Sequence, residues 1–443
     1  MSAPNSTPYA PRPLVLPEVF VVEGNTCGLH GLERVRLRID TRVSTSGGAS
    51  AGRFIEWVTN TESAADLQLA PHELLLPGFL DLHVHCRDDP SGRERYKEDF
   101  ATASRAALSG GVVLLGDMPN NAAPPIDSAS YEAKQACVHE RALVDVILYG
   151  GIAPGTRPFA KAIPYKCYYG PSVGNLNLSQ APDASATLAA YHGHFVAFHA
   201  EKQSVLDAHR DRPTHESRRP AAAEAEAIRD IARLARAHGF HPHIAHLSSA
   251  AGLAEVRSAR AAGLAMTCEV APHHLCFDDE NRARFERGAW LQMNPPIRTR
   301  QDRLALFEAF ASGEIEILAT DHAPHSREEN ARGISGVPHL DTFAAYVSLL
   351  HREGLPWSTL IERAAAAPAR LFAPFIPHAG RLGALAPGYL ASFTVLDTRR
   401  PWRVDAQELH TRSGWSPFEG VELPARVVLT SVRGKVWQVA PRS

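Results

Sequence analysis

From about Leu80 onward, short apolar runs alternate with segments of helical periodicity. The run VVLLGD follows the helix-like KEDFATASRAALSGG, and FHPHIAHLSS follows the strongly amphipathic AEAEAIRDIARLARAHG. Repeated units of one strand and one helix imply a parallel sheet with right-handed crossovers. We therefore predict an α/β fold, a (β/α)8 TIM barrel over residues 78–379, with functional side chains at the carboxyl ends of the strands.

The regions flanking the barrel have a different texture. Residues 1–12 are polar and predict a disordered leader. Residues 13–77 and 380–443 contain short β-type runs separated by turn-forming residues, without a long helical period. We predict that these two segments pair into one discontinuous small β domain.

Composition excludes several classes of function. The chain has 443 residues, a formal net charge of -2 and 21% charged residues, so its charge gives no case for nucleic acid or a membrane surface as partner. No apolar run approaches the roughly 18 residues of a membrane span. The start of the sequence does not have the pattern of a signal peptide. Six scattered cysteines without a CxxC pair predict reduced thiols and a cytoplasmic location.

Side chains that commonly bind metals recur at the ends of the apolar runs. LLPGFLDLHVHCRDDP places His83 and His85 two residues apart, so that in a strand both imidazoles point to one face. His199, His246 and Asp321 occupy comparable positions in later runs. An isolated HxH pair is at least as often structural, but the series indicates a metallohydrolase.

Lys166 also ends an apolar run, in AIPYKCYYG. A lone lysine at such a place is usually a solvated charge or an ion-pair partner. A buried lysine has a depressed pKa, and its neutral amine can add carbon dioxide to form a carbamate that bridges two cations. The neighbouring histidines favour this second interpretation.

Some of these assignments have competitors. His241 and His243 form a rival pair in the run that ends at His246, which we favour because it is terminal. Asp321 could cap the following helix rather than bind metal and transfer protons. For Glu269, in TCEVAPHH, we favour a structural role.

Two polar residues suggest an anionic substrate. Arg87 follows the HxH pair directly, and its guanidinium fork matches a carboxylate, while Asn120 adds a directional donor from the DMPNN loop. A surface ion pair for Arg87 and loop capping for Asn120 are the alternatives.

Seven motifs together resemble the dihydroorotase family of the amidohydrolase superfamily. The resemblance covers residues 75–440 and implies a barrel with two divalent metal ions, usually zinc, a small anionic substrate and an N6-carboxylated Lys166. Lysine at this position fits the carbamylated branch, whereas many bacterial relatives have aspartate. The motifs, in order, are DLHVHCRDD, YKEDFATASRAALSGGV, DMPNN, TCEVAPHHL, MNPPIR, TDHAPH and SGWSPFEG.

The resemblance also implies roles for matching residues. Asp321 would be the general base and then the general acid in the interconversion of dihydroorotate and N-carbamoyl-aspartate, which runs toward ring closure in pyrimidine synthesis. The metal ligands would divide between two ions that share Lys166: His83, His85 and Asp321 at the more buried ion, His199 and His246 at the other. The substrate-binding positions match Arg87, Asn120, Asn294, His325, Ser335 and Gly336.

Two segments depart from the family pattern. RDDPSGRERY replaces a shorter stretch after the HxH pair, and GISGVPHLDT alters a substrate loop, which puts the ring specificity in question. The Ser-, Asn-, Gly- and Pro-rich loop at 171–185 is predicted to be mobile.

Other functions remain open at this point. Dihydropyrimidinases, hydantoinases and allantoinases resemble the same barrel and metal site, but their substrates do not need an arginine after the HxH pair. An inactive barrel acting as a scaffold for an aspartate transcarbamoylase is the alternative from another class, although all six metal-binding positions hold competent side chains. We expect a homo-oligomer.

Overall fold

A computed structural model describes most of the chain, and all structural statements below refer to that part. Most of the predicted leader and most of the loop at 171–185 lie outside the described residues. No helix within the described ranges is long and apolar enough to cross a membrane. The described residues are 10–28, 31–42, 54–57, 64–171, 176–178, 184–376 and 381–442.

Eight parallel strands form the predicted barrel. The third strand has two segments, one on each side of Tyr149. An isolated bridge joins Val84, at the end of the first strand, to His322, which follows the eighth strand, and the amide of His85 donates to the carbonyl of His322 at 2.8 Å. In order, the strands are Phe79–Val84, Val112–Asp117, Asp145–Leu148 with Gly150–Ile152, Tyr165–Tyr168, Phe195–His199, His241–Ile244, Thr267–Val270 and Ile317–Leu318.

Helices cover the outside of the barrel, and local sequence sets their ends. Asp99 caps the first helix by accepting a hydrogen bond from the amide of Thr102. Gly239 ends the amphipathic sixth helix with φ of 73°, a conformation that glycine adopts without strain. The helices are Phe100–Ser109, Ser128–Arg141, Ala184–Ala189, Gln203–Ala208, His215–Arg218, Ala221–His238, Ala250–Ala261, Pro272–Cys276, Arg300–Ser312, Arg327–Ala331, Phe343–Arg352, Trp357–Ile361 and Ala367–Phe372.

A separate β sheet joins the two ends of the chain. Its central contact is antiparallel pairing of Phe393–Asp397 with Glu73–Pro77, so that a late strand lies beside an early one. This confirms the discontinuous small β domain, while its boundaries at residues 78 and 380 remain a proposal. The sheet order is Arg12–Pro13, Lys435–Gln438, Arg426–Val432, Phe393–Asp397, Glu73–Pro77, Val19–Gly28, Gly31–Asp40 and Phe54–Trp57, with Leu67–Gln68 on Val19–Gly28 and a separate pair, Trp402–Arg403 with Glu422–Leu423.

The β domain delivers the chain directly into the barrel. Only Gly78 separates Glu73–Pro77 from the first barrel strand. A Cβ atom at this position would lie 2.4 Å from Cγ1 of Val113, so only glycine allows the close approach of the two strands. The start of the first strand, and with it the HxH pair, is thereby fixed against the second strand.

Three strand ends do not coincide with the ends of the apolar runs. Lys166 is the second residue of its strand rather than the last. His273 and His274 belong to a short helix, which begins at Pro272 because proline cannot continue the strand ladder. The last strand, Ile317–Leu318, is only two residues long, since the amide of Thr320 donates to the carboxylate of Asp81 at 2.9 Å instead of to a neighbouring backbone.

Candidate active site

A cavity at the carboxyl ends of the barrel strands brings the predicted residues together. It encloses about 380 Å³ of empty space, part of it open to solvent. Lys166 and His325 do not line the cavity but lie beside lining residues, Tyr168 and Arg87 respectively. The ten predicted residues in its wall are His83, His85, Arg87, Asn120, His199, His246, Asn294, Asp321, Ser335 and Gly336.

Three potential metal ligands converge on one point. Nε2 of His83 and Nε2 of His85 each lie 3.2 Å from Oδ1 of Asp321. One ligand atom from each of the three residues falls within 4.8 Å of the others, and all three side chains are buried. Two imidazole nitrogens and a carboxylate at this spacing can hold a divalent cation such as zinc.

The other ring nitrogen of each histidine faces a fixed acceptor. Nδ1 of His83 is hydrogen-bonded to the carboxylate of Glu269. Nδ1 of His85 lies 2.7 Å from Oδ1 of Asn120. These contacts place the proton on Nδ1 and turn Nε2 of both rings toward Asp321, the arrangement in which imidazole binds a metal. Asn120 therefore orients His85 in addition to lining the cavity.

A second pair of histidines, His199 and His246, also lines the cavity, and the ring centroids of His246 and His83 are 5.2 Å apart. Nδ1 of His199 is 3.0 Å from Nε2 of His246, and Nε2 of His199 is 3.0 Å from Oε2 of Glu201. Glu201 is fully buried and paired with Arg219. Because Glu201 accepts from one ring nitrogen of His199, the other nitrogen is available toward His246 and the cavity.

Lys166 is fully buried beside these groups. Its Nζ has no hydrogen-bond partner among the described residues and lies 5.5 Å from the centre of the Tyr168 ring. Burial lowers the pKa of Lys166 to about 8, although Glu269 and Asp321 oppose the shift. The neutral amine is therefore accessible near neutral pH, which is the form that reacts with carbon dioxide.

Electrostatics keep His85, His199, His246 and Asp321 in the protonation states of metal ligands. Burial lowers the pKa of His85 to about 3 and also lowers the pKa values of His199 and His246. Burial opposes ionisation of Asp321, but the neighbouring histidines outweigh it and hold its pKa well below the usual range. Neutral imidazoles and an ionised carboxylate are the forms that bind a cation.

The backbone is strained at three positions around the cavity. Arg87, His246 and Asp321 have φ of 54°, 39° and 49°, and Arg433 is the one other described non-glycine residue with positive φ. Such conformations cost about 1–3 kcal/mol each and cluster at functional sites. Each of the three residues follows a barrel strand, where the turn directs its side chain to the cavity.

Unpaired polar atoms remain in the wall that faces a substrate. Arg87 is 2% exposed, so the alternative of a surface ion pair is wrong. Its Nη2 lies 3.3 Å from Nε2 of His325, while Nη1 has no hydrogen-bond partner in the described part of the chain. Oδ1 of Asn294 is likewise buried without a partner there. A guanidinium donor and an amide acceptor are therefore available to one ligand.

Gly336 shapes the altered loop. It has φ of 140°, and a Cβ atom at this position would lie 2.4 Å from the carbonyl oxygen of Ala323. Its amide donates to the carbonyl of Gln292 at 2.8 Å. Glycine is thus required at this point of the GISGVPHLDT segment, whose neighbouring residue Ser335 also lines the cavity.

Three cavity-lining residues were not predicted from the sequence. Tyr168, Met293 and Ala323 line the cavity, and the hydroxyl of Tyr168 is buried without a partner among the described residues. Tyr168 was detectable, because it lies two positions after Lys166 on the same strand and so on the same face. Met293 is adjacent to Asn294 in MNPPIR.

Glu269 connects several of these groups. Besides His83, its carboxylate faces Nε2 of His243 at 3.1 Å and accepts from the amide of His246 at 3.2 Å. His243 also faces the hydroxyl of Thr267 at 2.8 Å, whereas His241 is exposed. His241 and His243, the competing assignments to His246, do not line the cavity. The structural role expected for Glu269 is to position the histidines that its carboxylate contacts.

Comparisons with known proteins agree with this geometry. The amidohydrolase family profile matches residues 179–437, more than half of the chain. The dihydroorotase of Pyrococcus furiosus is 30% identical over 82% of this chain and 81% of its own length, and the dihydroorotase of Methanothermobacter thermautotrophicus is 31% identical over 90% and 92%. An allantoinase of Rubrobacter xylanophilus is 34% identical over 82% and 83%.

A solved structure shows the same architecture. The L-hydantoinase of Arthrobacter aurescens superposes with a TM-score of 0.81 at 23% identity, covering 94% of this chain and 95% of that one. This likeness supports the fold, a barrel with a separate small β domain. Together with the matching family profile, it leads to one conclusion: the chain belongs to the amidohydrolase family.

Proposed function

We propose that the protein is a dihydroorotase, which catalyses the reversible, metal-dependent cyclisation of N-carbamoyl-L-aspartate to dihydroorotate. The observation that carries the proposal is the buried Arg87, whose Nη1 has no partner among the described residues and which lines the same cavity as His83, His85 and Asp321. Dihydroorotate carries a carboxylate that can pair with this guanidinium. Dihydrouracil, hydantoin and allantoin are rings without that carboxylate.

The donor set fits two divalent ions, which we propose to be zinc. His83, His85 and Asp321 would hold one ion, His199 and His246 the other, and a carboxylated Lys166 would be shared. The buried Nζ of Lys166, which has no hydrogen-bond partner among the described residues, supports this assignment. A carbamate formed on this nitrogen would supply two oxygens that can bind the metal ions. When bound, the ions polarise the ring carbonyl and lower the pKa of water.

We assign the proton transfer to Asp321. Its low pKa leaves it ionised, and in ring opening it accepts one proton from the attacking water. It returns that proton to the ring nitrogen as the carbon–nitrogen bond breaks, so the carboxylate is regenerated in each cycle. In ring closure it takes the proton from the carbamoyl nitrogen and delivers it to the departing oxygen.

Arg87 and Asn294 would orient the substrate. A contact from Nη1 of Arg87 to the carboxylate would fix one end of the ring, and the buried Oδ1 of Asn294 can accept from a ring amide. Asn120, Ser335 and Gly336 complete the proposed substrate site, and His325 would contribute to it through its contact with Arg87. Holding the reacting carbonyl in one orientation converts the reaction into an effectively intramolecular step.

The proposal also covers the location and the assembly of the enzyme. A cytoplasmic location and a homo-oligomer are expected. A scaffold role with an aspartate transcarbamoylase would be additional to activity, since all six metal-binding positions hold competent side chains.

Ring opening by zinc-loaded protein tests this function. Dihydroorotate is compared with dihydrouracil, hydantoin and allantoin, and the Arg87→Ala variant is run alongside the wild type. We expect a clear preference for dihydroorotate that Arg87→Ala removes. Preference for an uncharged ring would instead assign the protein to the hydantoinases or allantoinases, and no turnover with metal bound would favour the scaffold role.

A further inference from the structure

The segment that departs from the family pattern after Arg87 is held firmly against the barrel. Within it, Nε of Arg95 donates to Oδ1 of Asp88 at 2.6 Å. Oδ2 of Asp89 accepts from the amide of Ala123 at 3.0 Å, which connects the segment to the loop that carries Asn120. Residues 88–96 therefore form an ordered wall segment that begins directly after the cavity-lining Arg87 but does not itself line the cavity.

The end of this wall contacts Glu329, in the short helix Arg327–Ala331. The hydroxyl of Tyr96 donates to Oε1 of Glu329 at 2.7 Å, and Nζ of Lys97 lies 3.5 Å from the same oxygen. The second oxygen, Oε2, faces Nδ1 of His325 at 3.3 Å and accepts from the amide of Ser326 at 3.0 Å. Glu329 thus contacts the wall with one oxygen and His325 with the other.

His325 contacts Arg87 with its other ring nitrogen. Its Nε2 lies 3.3 Å from Nη2 of Arg87. A guanidinium has no acceptor, so Nε2 of His325 must accept, and the ring proton of neutral His325 must be on Nδ1, where it donates to Glu329. Nε of Arg87 donates to the carbonyl of Pro324 at 3.4 Å, and Arg87 makes no direct ion pair with a carboxylate among the described residues. Glu329 contacts Arg87 only through His325.

We propose that Glu329 is a positioning residue for the substrate carboxylate. It fixes the tautomer and position of His325, which holds Nη2 of Arg87 and leaves Nη1 directed to the ligand. Tyr96 and Lys97, contributed by the chain at the end of the unusual segment, hold Glu329 in turn. This inference rests on the proposed function, because it assigns the Arg87 side of the cavity to a carboxylate.

A purely structural role for Glu329 is the competing explanation. Glu329 completes a capping box with Ser326, so its removal also weakens the start of the helix. Glu329→Gln separates the two roles, since glutamine retains capping ability and an acceptor for His325 but removes the charge. Glu328→Ala is the matched control, because Glu328 is exposed on the same helical turn and does not contact His325.

The test measures binding of orotate, a flat ring with the same carboxylate, by calorimetry on zinc-loaded full-length protein. We expect Glu329→Ala to weaken orotate binding roughly tenfold and Glu329→Gln roughly threefold, by the loss of a charge-assisted contact. Tyr96→Phe should cause a change of about twofold, since its contact is largely exposed. Glu328→Ala should bind as the wild type does.

A double variant decides whether Glu329 acts through Arg87. In an Arg87→Ala background, Glu329→Ala should cause no further loss of orotate affinity. An equal loss in both backgrounds, or Glu329→Ala binding like Glu328→Ala, would overturn the inference. If the wild type neither binds orotate nor opens dihydroorotate, the proposed function itself fails, and that result is distinct from either of these.

Discussion

Asp321 is the residue on which the proposed proton transfer depends. Asp321→Asn keeps the shape of the side chain but removes the basic oxygen, and we expect kcat for dihydroorotate to fall by about 10²–10⁴-fold. The exposed Asp207, on the helix Gln203–Ala208, provides Asp207→Asn as a control that should retain activity. Unchanged thermal melting of both variants would show intact folding, and near-normal turnover by Asp321→Asn would refute the role.

Lys166 is either an ordinary lysine or a carbamate that binds metal, and the two interpretations predict different metal contents. Lys166→Met fills a similar buried volume without the amine, and we expect bound zinc to fall below two ions per chain by atomic spectroscopy. Lys161→Met, at an exposed lysine, is the control. Full zinc content in Lys166→Met would mean that the amine takes no part in metal binding.

At the scale of elements, a buried ion pair joins two strand ends to a helix. Nζ of Lys134, on Ser128–Arg141, lies 2.6 Å from Oδ2 of Asp117, and it also donates to the carbonyl of Met118 at 3.2 Å. Oδ1 of Asp117 accepts from the amide of Cys86 at 2.8 Å. The pair therefore fixes the backbone between His85 and Arg87 and the start of the Asn120 loop.

Breaking this pair should destabilise the barrel. Lys134→Met leaves a buried carboxylate without its counter-charge, and we expect a loss of about 3–5 kcal/mol in the free energy of unfolding. The double variant Asp117→Asn with Lys134→Met removes both charges and should recover most of the loss. Urea unfolding followed by tryptophan fluorescence measures both, and equal stability of Lys134→Met and wild type would contradict the argument.

Sequence pattern predicted the barrel and most cavity-lining residues for a physical reason. Strand–helix alternation is a local signal, and the carboxyl ends of parallel strands meet at one face, so the positions of His83, His199 and Asp321 follow from it. The contacts that orient these groups are not local. His83 and Glu269 are 186 residues apart in sequence, and Arg87 and His325 are 238 apart.

The same distinction explains why the strand ends differ from the ends of the apolar runs. Whether Lys166 falls inside or at the end of its strand depends on backbone pairing with neighbouring strands, which no single segment specifies. The shortness of Ile317–Leu318 depends on Asp81, a side chain in the first strand that takes the amide of Thr320. Both features depend on contacts that form only in the closed barrel, and not on the local sequence alone.

At the scale of the whole molecule, the C-terminal segment contacts the barrel next to the candidate site. Nε2 of His322, the neighbour of Asp321, lies 3.3 Å from Oε2 of the fully buried Glu98. The same carboxylate is hydrogen-bonded to the hydroxyl of Thr411, which comes from the C-terminal region. Barrel and C-terminal segment are therefore coupled at the eighth strand, close to the proposed acid–base residue.

The proposed ligands come from five of the eight strands, so bound metal would crosslink the barrel. His83 belongs to the first strand and Lys166 to the fourth, and His199, His246 and Asp321 end or follow the fifth, sixth and eighth. A ligand that binds only the folded state stabilises it by about 2.7 kcal/mol per site at a free concentration of 100 Kd. Removing the ions with a chelator should therefore lower the melting temperature by several degrees, and added zinc should restore it. The variant Lys166→Met should show a smaller decrease, because it has fewer ions to lose, and a chelator effect of equal size in both proteins would contradict a shared site at Lys166.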